Sequence, residues 1–191
     1  MSRSPILTAL LDANVLYPAP LRDYILHLAS LGVYVPLWTA AIQEEWIRNL
    51  LKARPDIPRT ALEATQRSMD KAFPASNITG YESHIAEIYL PDPNDRHVLA
   101  AAIKAQAQLI VTANLKDFPS SALAPYSMRV EHPDMFVSAC IDREKQKAIK
   151  ALENQIKALK NPALPREKVL KNLEATGLIK SSAKLRSYYQ S

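Results

Sequence analysis

Short apolar runs alternate with amphipathic helical segments along most of this chain. The apolar runs at residues 6–11, 33–37 and 108–112 have the length and composition of buried strands. Neighbouring parallel strands need long crossover connections, which are usually helices and which cover both faces of the sheet. The alternation therefore predicts an α/β fold with a central parallel sheet between two layers of helices.

Helices are predicted between and after these strands. Apolar residues at helical spacing predict helices over residues 18–31, 39–55, 58–73, 79–88 and 94–107, and a fourth strand is predicted at 127–130. Thr39 is expected to cap the second helix, because a threonine hydroxyl accepts hydrogen bonds from the amides of a first helical turn. Beyond Pro133 the pattern predicts one long helix to about Lys160, followed by shorter helices at 165–177 and 182–189.

The charge of the chain is concentrated at its C-terminal end. The net charge is +5, but residues 1–140 carry 12 basic and 14 acidic side chains, whereas residues 141–191 carry 12 and 5. The two parts therefore have net charges of −2 and +7. We expect a main domain over residues 1–140 and a basic helical C-terminal extension over residues 141–191. The extension is interpreted either as a surface that binds a phosphate backbone or as a solvated helical face.

Several classes of protein are disfavoured by composition. Cys140 is the only cysteine, so no disulfide within the chain and no all-cysteine zinc site can form. With only three glycines, the chain lacks the glycine-rich loops of dinucleotide-binding and P-loop proteins. No secretory leader and no apolar run of about 20 residues is found, which predicts a cytoplasmic protein with no membrane partner.

Acidic and amide side chains follow the predicted strands. Asp12 ends the first apolar run, Asp95 begins a predicted helix, and Asn114 and Asp117 follow the strand at 108–112. Glu45 lies near the start of the helix capped by Thr39. Loops at the carboxyl edge of a parallel sheet meet in one crevice, so these groups are expected to converge there. Clustered carboxylates repel one another unless a cation lies between them, and Mg²⁺ or Mn²⁺ prefers such oxygen ligands.

Local explanations exist for each of these residues. An acidic or amide side chain after a strand often hydrogen-bonds to amides of its own turn, and this applies to Asp12, Asn114 and Asp117. Asp95 also fits the first turn of a helix, where the helix dipole stabilises it. On the capped helix, Glu44 is a rival of Glu45. His97 is expected on a solvated helix surface.

Four motifs together resemble the PIN-domain nucleases and, within them, the VapC-like toxins of bacterial toxin–antitoxin pairs. The motifs are Leu11-Asp12-Ala13-Asn14-Val15-Leu16-Tyr17, Thr39 followed by Glu44-Glu45-Trp46, Asp92 to Ala101, and Val111 to Pro119. Their order and spacing span roughly residues 5–136. The resemblance implies a three-layer α/β/α PIN-like fold and leaves the basic extension unmatched.

The resemblance also implies an activity and a set of residues. It implies an endoribonuclease that depends on Mg²⁺ or Mn²⁺, and the family's acidic quartet falls here on Asp12, Glu45, Asp95 and a residue after Thr112. Many members carry aspartate two residues after that threonine, whereas this chain carries an asparagine there. The fourth position is therefore shared between two candidates, Asn114 and Asp117.

Further roles are implied for supporting residues and for partners. Asn14 and Thr112 correspond to residues that orient the first carboxylate, and Arg96 is a candidate contact for phosphate. The resemblance implies RNA as substrate, a homodimer, and a cognate antitoxin protein that blocks the acidic crevice.

Two alternatives to an active ribonuclease are considered. Asn114 in the fourth position is compatible with a PIN-like RNA-binding module that has no catalytic activity. A metal-dependent phosphatase is disfavoured, because Asp12 is followed by Ala13-Asn14 rather than by the second aspartate of an Asp-x-Asp pair.

Overall fold

Four parallel strands form the central sheet in the computed structural model, which describes residues 6–189. They are β1 (Thr8–Leu11), β2 (Val35–Leu37), β3 (Leu109–Val111) and β4 (Arg129–Glu131), in the spatial order β2-β1-β3-β4. The three-layer α/β/α fold with C-terminal helices is therefore confirmed. Residues 1–5 and 190–191, which belong to the predicted domain limits, lie outside the described part.

Ten α-helices surround and extend this sheet in the described residues. They are α1 (Ala13–Leu16), α2 (Ala19–Ser30), α3 (Ala40–Ala53), α4 (Arg59–Ala72), α5 (Arg96–Lys104), α6 (Ser120–Leu123), α7 (Pro133–Arg143), α8 (Lys145–Ala158), α9 (Arg166–Ala175) and α10 (Ile179–Ser187). Short 3₁₀ helices span Glu82–Glu87, Pro93–Asp95, Leu115–Asp117 and Ala124–Tyr126. The segment predicted as a helix over 79–88 is thus a 3₁₀ helix.

The centre of the sheet is fully buried. Ala9, Leu10 and Leu11 of β1 are all 0% exposed, because β1 has a neighbouring strand on each side and helices over its faces. The alanines of α5, residues 100–102, are also buried, and this helix packs on β1 and β3. Small side chains let a helix approach a sheet closely, so α5 is held firmly beside the two central strands.

Two predicted boundaries move because non-glycine residues adopt left-handed backbone conformations. Gln106 has φ of 51°, which ends α5 before Ala107, the predicted last helical residue. Ser127 also has φ of 51°, so β4 begins at Arg129 rather than at Ser127. A left-handed residue cannot continue a helix or a strand.

The long helix predicted from Pro133 to Lys160 is wrong. Glu144 has φ of −136° and ψ of 53°, which separates α7 from α8 and lets α8 pack on α2. The last helix also starts earlier than predicted. The Asp134 carboxylate accepts hydrogen bonds from the amides of Lys180 and Ser181, both at 2.8 Å, and so caps α10 near its start.

The C-terminal helices are packed onto the main domain. Ala148, Ala151 and Leu152 of α8 are fully buried in the same core as the sheet. The Tyr24 hydroxyl of α2 donates to the Ala148 carbonyl at 3.1 Å, and the Gln155 amide donates to the Pro20 carbonyl at 2.9 Å. None of the helices between residues 6 and 189 is long and apolar enough to cross a membrane.

Because α8 shares the core, we expect Leu152→Ala to lower the free energy of unfolding of the whole chain by about 2–5 kcal/mol. Denaturation is followed by tryptophan fluorescence, which reports Trp38 and Trp46 of the main domain, and by far-UV circular dichroism. Both probes should show one shared transition at lower denaturant. Ile179→Ala, at a side chain that is 62% exposed, serves as the control. A Leu152→Ala transition seen by circular dichroism alone would contradict this prediction.

Candidate active site

The first site residue is fixed by the pairing of β1 with β3. Asp12 follows β1, and its backbone amide donates to the Val111 carbonyl at 3.1 Å, which extends the parallel ladder by one residue. Thr112 follows β3 directly. Its hydroxyl donates to the Asp12 carboxylate at 2.7 Å, although 100 residues separate the two in sequence. The carboxyl ends of two adjacent strands thus bring these side chains into contact.

Asn14 completes a closed network around this carboxylate. Its side-chain amide donates to Asp12 Oδ2 at 2.6 Å and to Thr112 Oγ1 at 2.9 Å. Its own carbonyl oxygen accepts from the Ala113 amide at 3.0 Å. The backbone amide of Ala13 donates to Asp12 Oδ1 at 2.7 Å, so Asp12 also caps α1. The contacts expected of Asn14 and Thr112 are therefore present, and they fix the orientation of Asp12.

The Asp12 carboxyl group is almost completely buried, with 5% of the residue exposed. This burial raises its pKa, and the nearby Glu45 carboxylate raises it further. The hydrogen bonds from Thr112 and Ala13 oppose the rise because they stabilise the charged form. These hydrogen bonds thus stabilise the charged form of Asp12, which burial alone would disfavour.

Helix α3 contributes the next side chains. The Thr39 hydroxyl accepts from the Ile42 amide at 3.1 Å, which confirms the predicted cap. Glu45 and Arg48 lie on one face of α3 and line a cavity together with Asp12. Glu44 lies outside this cavity and forms an exposed ion pair with Arg59 at 2.5 Å. Of the two glutamates, Glu45 therefore lines the cavity, whereas Glu44 lies on an exposed part of the helix.

The loop before α5 supplies two further acids. Asp92 accepts from the Asn94 amide at 2.8 Å and so caps the 3₁₀ turn that precedes the helix. Asp95 has no hydrogen-bond partner for its carboxylate among the described residues. Burial, together with the nearby charges of Asp12, Asp92, Asp117 and Glu45, raises the pKa of Asp95 to about 6. The cavity thus disfavours the charged form of Asp95, through burial first and through the neighbouring acids second.

The fourth acidic position involves two residues in contact. The Asn114 side-chain amide donates to the Asp117 carboxylate, and the Asn114 backbone amide donates to Thr112 Oγ1 at 3.0 Å. Asn114 lines the cavity, whereas Asp117, on the 3₁₀ turn, is not among the lining residues and affects Asp95 through its charge. The structure thus brings both candidates to the same end of the sheet.

The sequence-based predictions misplaced or missed three neighbouring basic side chains. His97 lines the cavity, and its Nε2 atom lies 3.7 Å from Glu45 Oε2, so the expectation of a solvated helix surface is wrong. Arg96 is not among the cavity residues, and its guanidinium lies 5.9 Å from the Tyr89 ring centroid. Arg48 was missed, although its spacing of three residues from Glu45 could have identified it.

The resulting cavity has a volume of about 640 Å³ and a mostly polar wall. Its lining residues are Asp12, Asn14, Ala41, Glu45, Arg48, Asp92, Asn94, Asp95, His97 and Asn114. Hereafter we call it the acidic cavity. Its donors are carboxylate and amide oxygens, which suit a hard divalent cation. In residues 6–189, however, no three His, Cys, Asp or Glu side chains are already arranged as a metal-binding group.

Comparison with known proteins agrees with this architecture. The PIN domain family model matches residues 8–116, and the model of the VapC50 C-terminal domain matches residues 133–187. A protein of Mycobacterium tuberculosis (strain ATCC 25618 / H37Rv) named "Putative ribonuclease VapC50" is 54% identical over 48 residues, which are 25% of this chain and 28% of that protein. The match thus covers less than a third of that relative. No solved structure matches the chain significantly.

The raised pKa of Asp95 predicts a pH dependence of stability in metal-free protein. A carboxyl group whose pKa rises from 3.8 to about 6 on folding favours the folded state below pH 4, and this contribution is lost as the pH rises through 6. Asp95→Asn should therefore melt above wild type at pH 7 in EDTA. Solvent screening limits the effect to about 1 kcal/mol, or roughly 2–4 °C.

The measurement is thermal unfolding between pH 4 and pH 7, and the difference should shrink towards pH 4. Asp56→Asn is the control, because Asp56 is exposed, pairs with Arg54, and lies outside the acidic cavity. Equal melting temperatures of wild type and Asp95→Asn at pH 7 would contradict the predicted repulsion.

Proposed function

We propose that this chain, which belongs to the PIN domain family, is a metal-dependent endoribonuclease and the toxin of a toxin–antitoxin pair. It hydrolyses RNA phosphodiesters in the cytoplasm through the acidic cavity. The observation that carries the proposal is the convergence of Asp12, Glu45 and Asp95 on one cavity, where burial and the nearby acidic charges raise the pKa of Asp95 to about 6. Perturbed carboxylates in a cleft are typical of functional sites.

The cavity's donor chemistry supports Mg²⁺ or Mn²⁺ as the cofactor. Asp12, Glu45 and Asp95 would hold the ion, with the fourth ligand from Asn114 through its carbonyl oxygen or from Asp117. Because Mg²⁺ keeps several waters in proteins, the absence of a ready-made three-ligand group among the described residues is compatible with this assignment. The bound ion would lower the pKa of a water and neutralise charge on the phosphate.

The remaining cavity residues position the reacting groups. Asn14 and Thr112 hold the Asp12 carboxylate in one orientation through hydrogen bonds of 2.6 and 2.7 Å. His97 lies beside Glu45, with its Nε2 atom 3.7 Å from Glu45 Oε2. Arg48 is exposed, lines the cavity and forms no ion pair or hydrogen bond within residues 6–189. Its guanidinium is therefore available to bind a phosphate of the RNA.

The proposed partners follow from the family. The name of the partly matching mycobacterial protein contains the words ribonuclease VapC50, and the models of the PIN domain and of the VapC50 C-terminal domain both match this chain. For this chain we propose an RNA substrate, a cognate antitoxin protein that covers the acidic cavity, and a homodimer.

Cleavage of a pool of structured RNAs tests the proposal. Wild type should cut RNA in Mn²⁺ or Mg²⁺ and fail to cut in EDTA, and Asp12→Asn and Asp95→Asn should each reduce the rate by at least about 100-fold. Loss of the metal, or of one oxygen ligand to it, removes the same charge stabilisation. In cells, expression of wild type should arrest growth, and Asp12→Asn should relieve the arrest.

The matched control is Asp56→Asn, which removes an exposed carboxylate far from the cavity chemistry and should keep full activity. Each variant is first checked for folding by thermal unfolding. The absence of metal-dependent cutting by folded wild-type protein, together with unimpaired growth, would refute the catalytic proposal.

A second candidate function is an RNA-binding module without catalytic activity. The observation in its favour is Asn114, whose side-chain amide is engaged by Asp117 in the fourth acidic position. This candidate requires weak or absent metal binding. Isothermal titration with Mn²⁺ separates the two, because the ribonuclease should bind the ion and Asp95→Asn should bind it more weakly.

The proposed role of Arg48 gives a salt-dependent prediction. Arg48→Ala should weaken RNA binding and reduce the slope of log affinity against log salt by about 0.7, because one fewer phosphate is neutralised on a single strand. Filter binding at several salt concentrations in EDTA measures the slope. Lys52→Ala is the control, since Lys52 is exposed on the same helix but does not line the acidic cavity. An equal slope change in both variants would refute a specific contact by Arg48.

A further inference from the structure

We propose that a second cavity binds one nucleobase of a single-stranded RNA beside the acidic cavity, an inference that rests on the proposed ribonuclease function. This second cavity has a volume of about 320 Å³. Its wall includes Glu87, Tyr89, Leu99, Pro119, Pro125 and Tyr126. We call it the aromatic cavity. A volume of about 300 Å³ is at the lower end of small-ligand sites, which suits a single base rather than a whole nucleotide chain.

The aromatic cavity is built from the same chain segments as the acidic cavity. Tyr89 precedes Asp92 by three residues, and Pro119 follows Asn114 by five. Leu99 lies one helical turn after Asp95, which corresponds to about 6 Å along α5. In the proposed arrangement, an RNA strand whose phosphate lies in the acidic cavity places a neighbouring nucleotide at the aromatic cavity.

Two exposed tyrosines provide the aromatic cavity with rings for base stacking. Tyr89 is 82% exposed and Tyr126 is 41% exposed, and within the described residues neither ring stacks on another aromatic ring. Sequence-specific proteins bind unpaired bases of RNA by stacking them on such rings. The Arg96 guanidinium lies 5.9 Å from the Tyr89 ring centroid and stabilises the ring's position by a cation–π contact. Arg96 thus acts on the base site rather than in the acidic cavity.

Glu87 introduces a preference among the bases. It is the one residue of the cavity wall, in the part of the chain that the structure describes, that carries a charge at neutral pH. A carboxylate only accepts hydrogen bonds, so it favours bases whose edges carry an amino group. Guanine, adenine and cytosine have such a group, whereas uracil has none. The aromatic cavity should therefore disfavour uracil.

The experiment measures binding of fluorescein-labelled single-stranded RNA octamers by anisotropy, with full-length protein in EDTA so that no cleavage occurs. Tyr89→Phe keeps the aromatic face and should bind like wild type. Tyr89→Leu keeps apolar area but loses the stacking face, and it should bind about tenfold more weakly. Because Tyr89 is exposed, both variants should melt like wild type. Ile179→Ala, at an exposed side chain on α10, is the control for a general loss of apolar surface.

A second arm tests the base preference with octamers of guanine-containing and uracil-only sequence. Wild type should favour the guanine-containing octamer, and Glu87→Gln should reduce that preference by at least about threefold, because an amide both donates and accepts. An unchanged preference in Glu87→Gln would overturn the assignment of Glu87.

The binding and cleavage experiments distinguish loss of the base site from loss of the ribonuclease activity. If wild type cuts RNA with metal but Tyr89→Leu and Tyr89→Phe bind with equal affinity, the base site is overturned and the ribonuclease stands. If wild type does not cut RNA but the two Tyr89 variants differ tenfold, the base site stands and the ribonuclease is overturned.

Discussion

The pairing of β1 with β3 is the contact on which the candidate site depends. It joins residues about 100 positions apart, and the last bond of the ladder, from the Asp12 amide to Val111, sets the two strand ends side by side. The Asp12 carboxylate then meets the Thr112 hydroxyl, and Asn14 connects both. Because Ala9, Leu10 and Leu11 of β1 are completely buried, the geometry of this network is fixed by the same packing that stabilises the fold. Loss of the pairing would remove the site and the core together.

The acidic cavity holds carboxylates in two different environments. Asp12 is buried but accepts three hydrogen bonds, which support its charged form and fix its direction. Asp95 is partly buried beside other acids and has no such donors within residues 6–189, so burial and the nearby negative charges raise its pKa to about 6. One carboxylate is therefore positioned in advance, whereas the other gains most from a bound cation. The basic side chains of the cavity wall, Arg48 and His97, are outnumbered by its four acidic side chains, which leaves the cavity suited to a positive ligand.

Sequence patterns predicted the features that depend on residue type and spacing within a short segment. Buried strands, the Thr39 cap and the acids at strand ends follow from residue type and spacing, and all of them occur in the structure. The errors arose where tertiary packing overrides local preference. The break at Glu144 lets α8 fold back onto α2, and no proline or glycine marks it in the sequence. His97 was misassigned for a similar reason, because only the approach of α3 towards α5 brings Glu45 to it.

The C-terminal extension keeps its net charge of +7 while several of its basic side chains are held in contacts within the protein. Its ion pairs use the five acidic side chains of the extension that this net charge already includes. Ion pairs engage Lys147, Lys150, Lys184 and Arg186, and Lys145 and Arg166 lie over tyrosine rings. The apolar face of α8 completes the core against α2, so a truncation would expose buried surface and perturb folding before it reported on RNA. Any electrostatic role of the extension therefore rests on lysines outside these pairs, such as Lys157 and Lys168, and charge-removing substitutions at those positions would leave the packing intact.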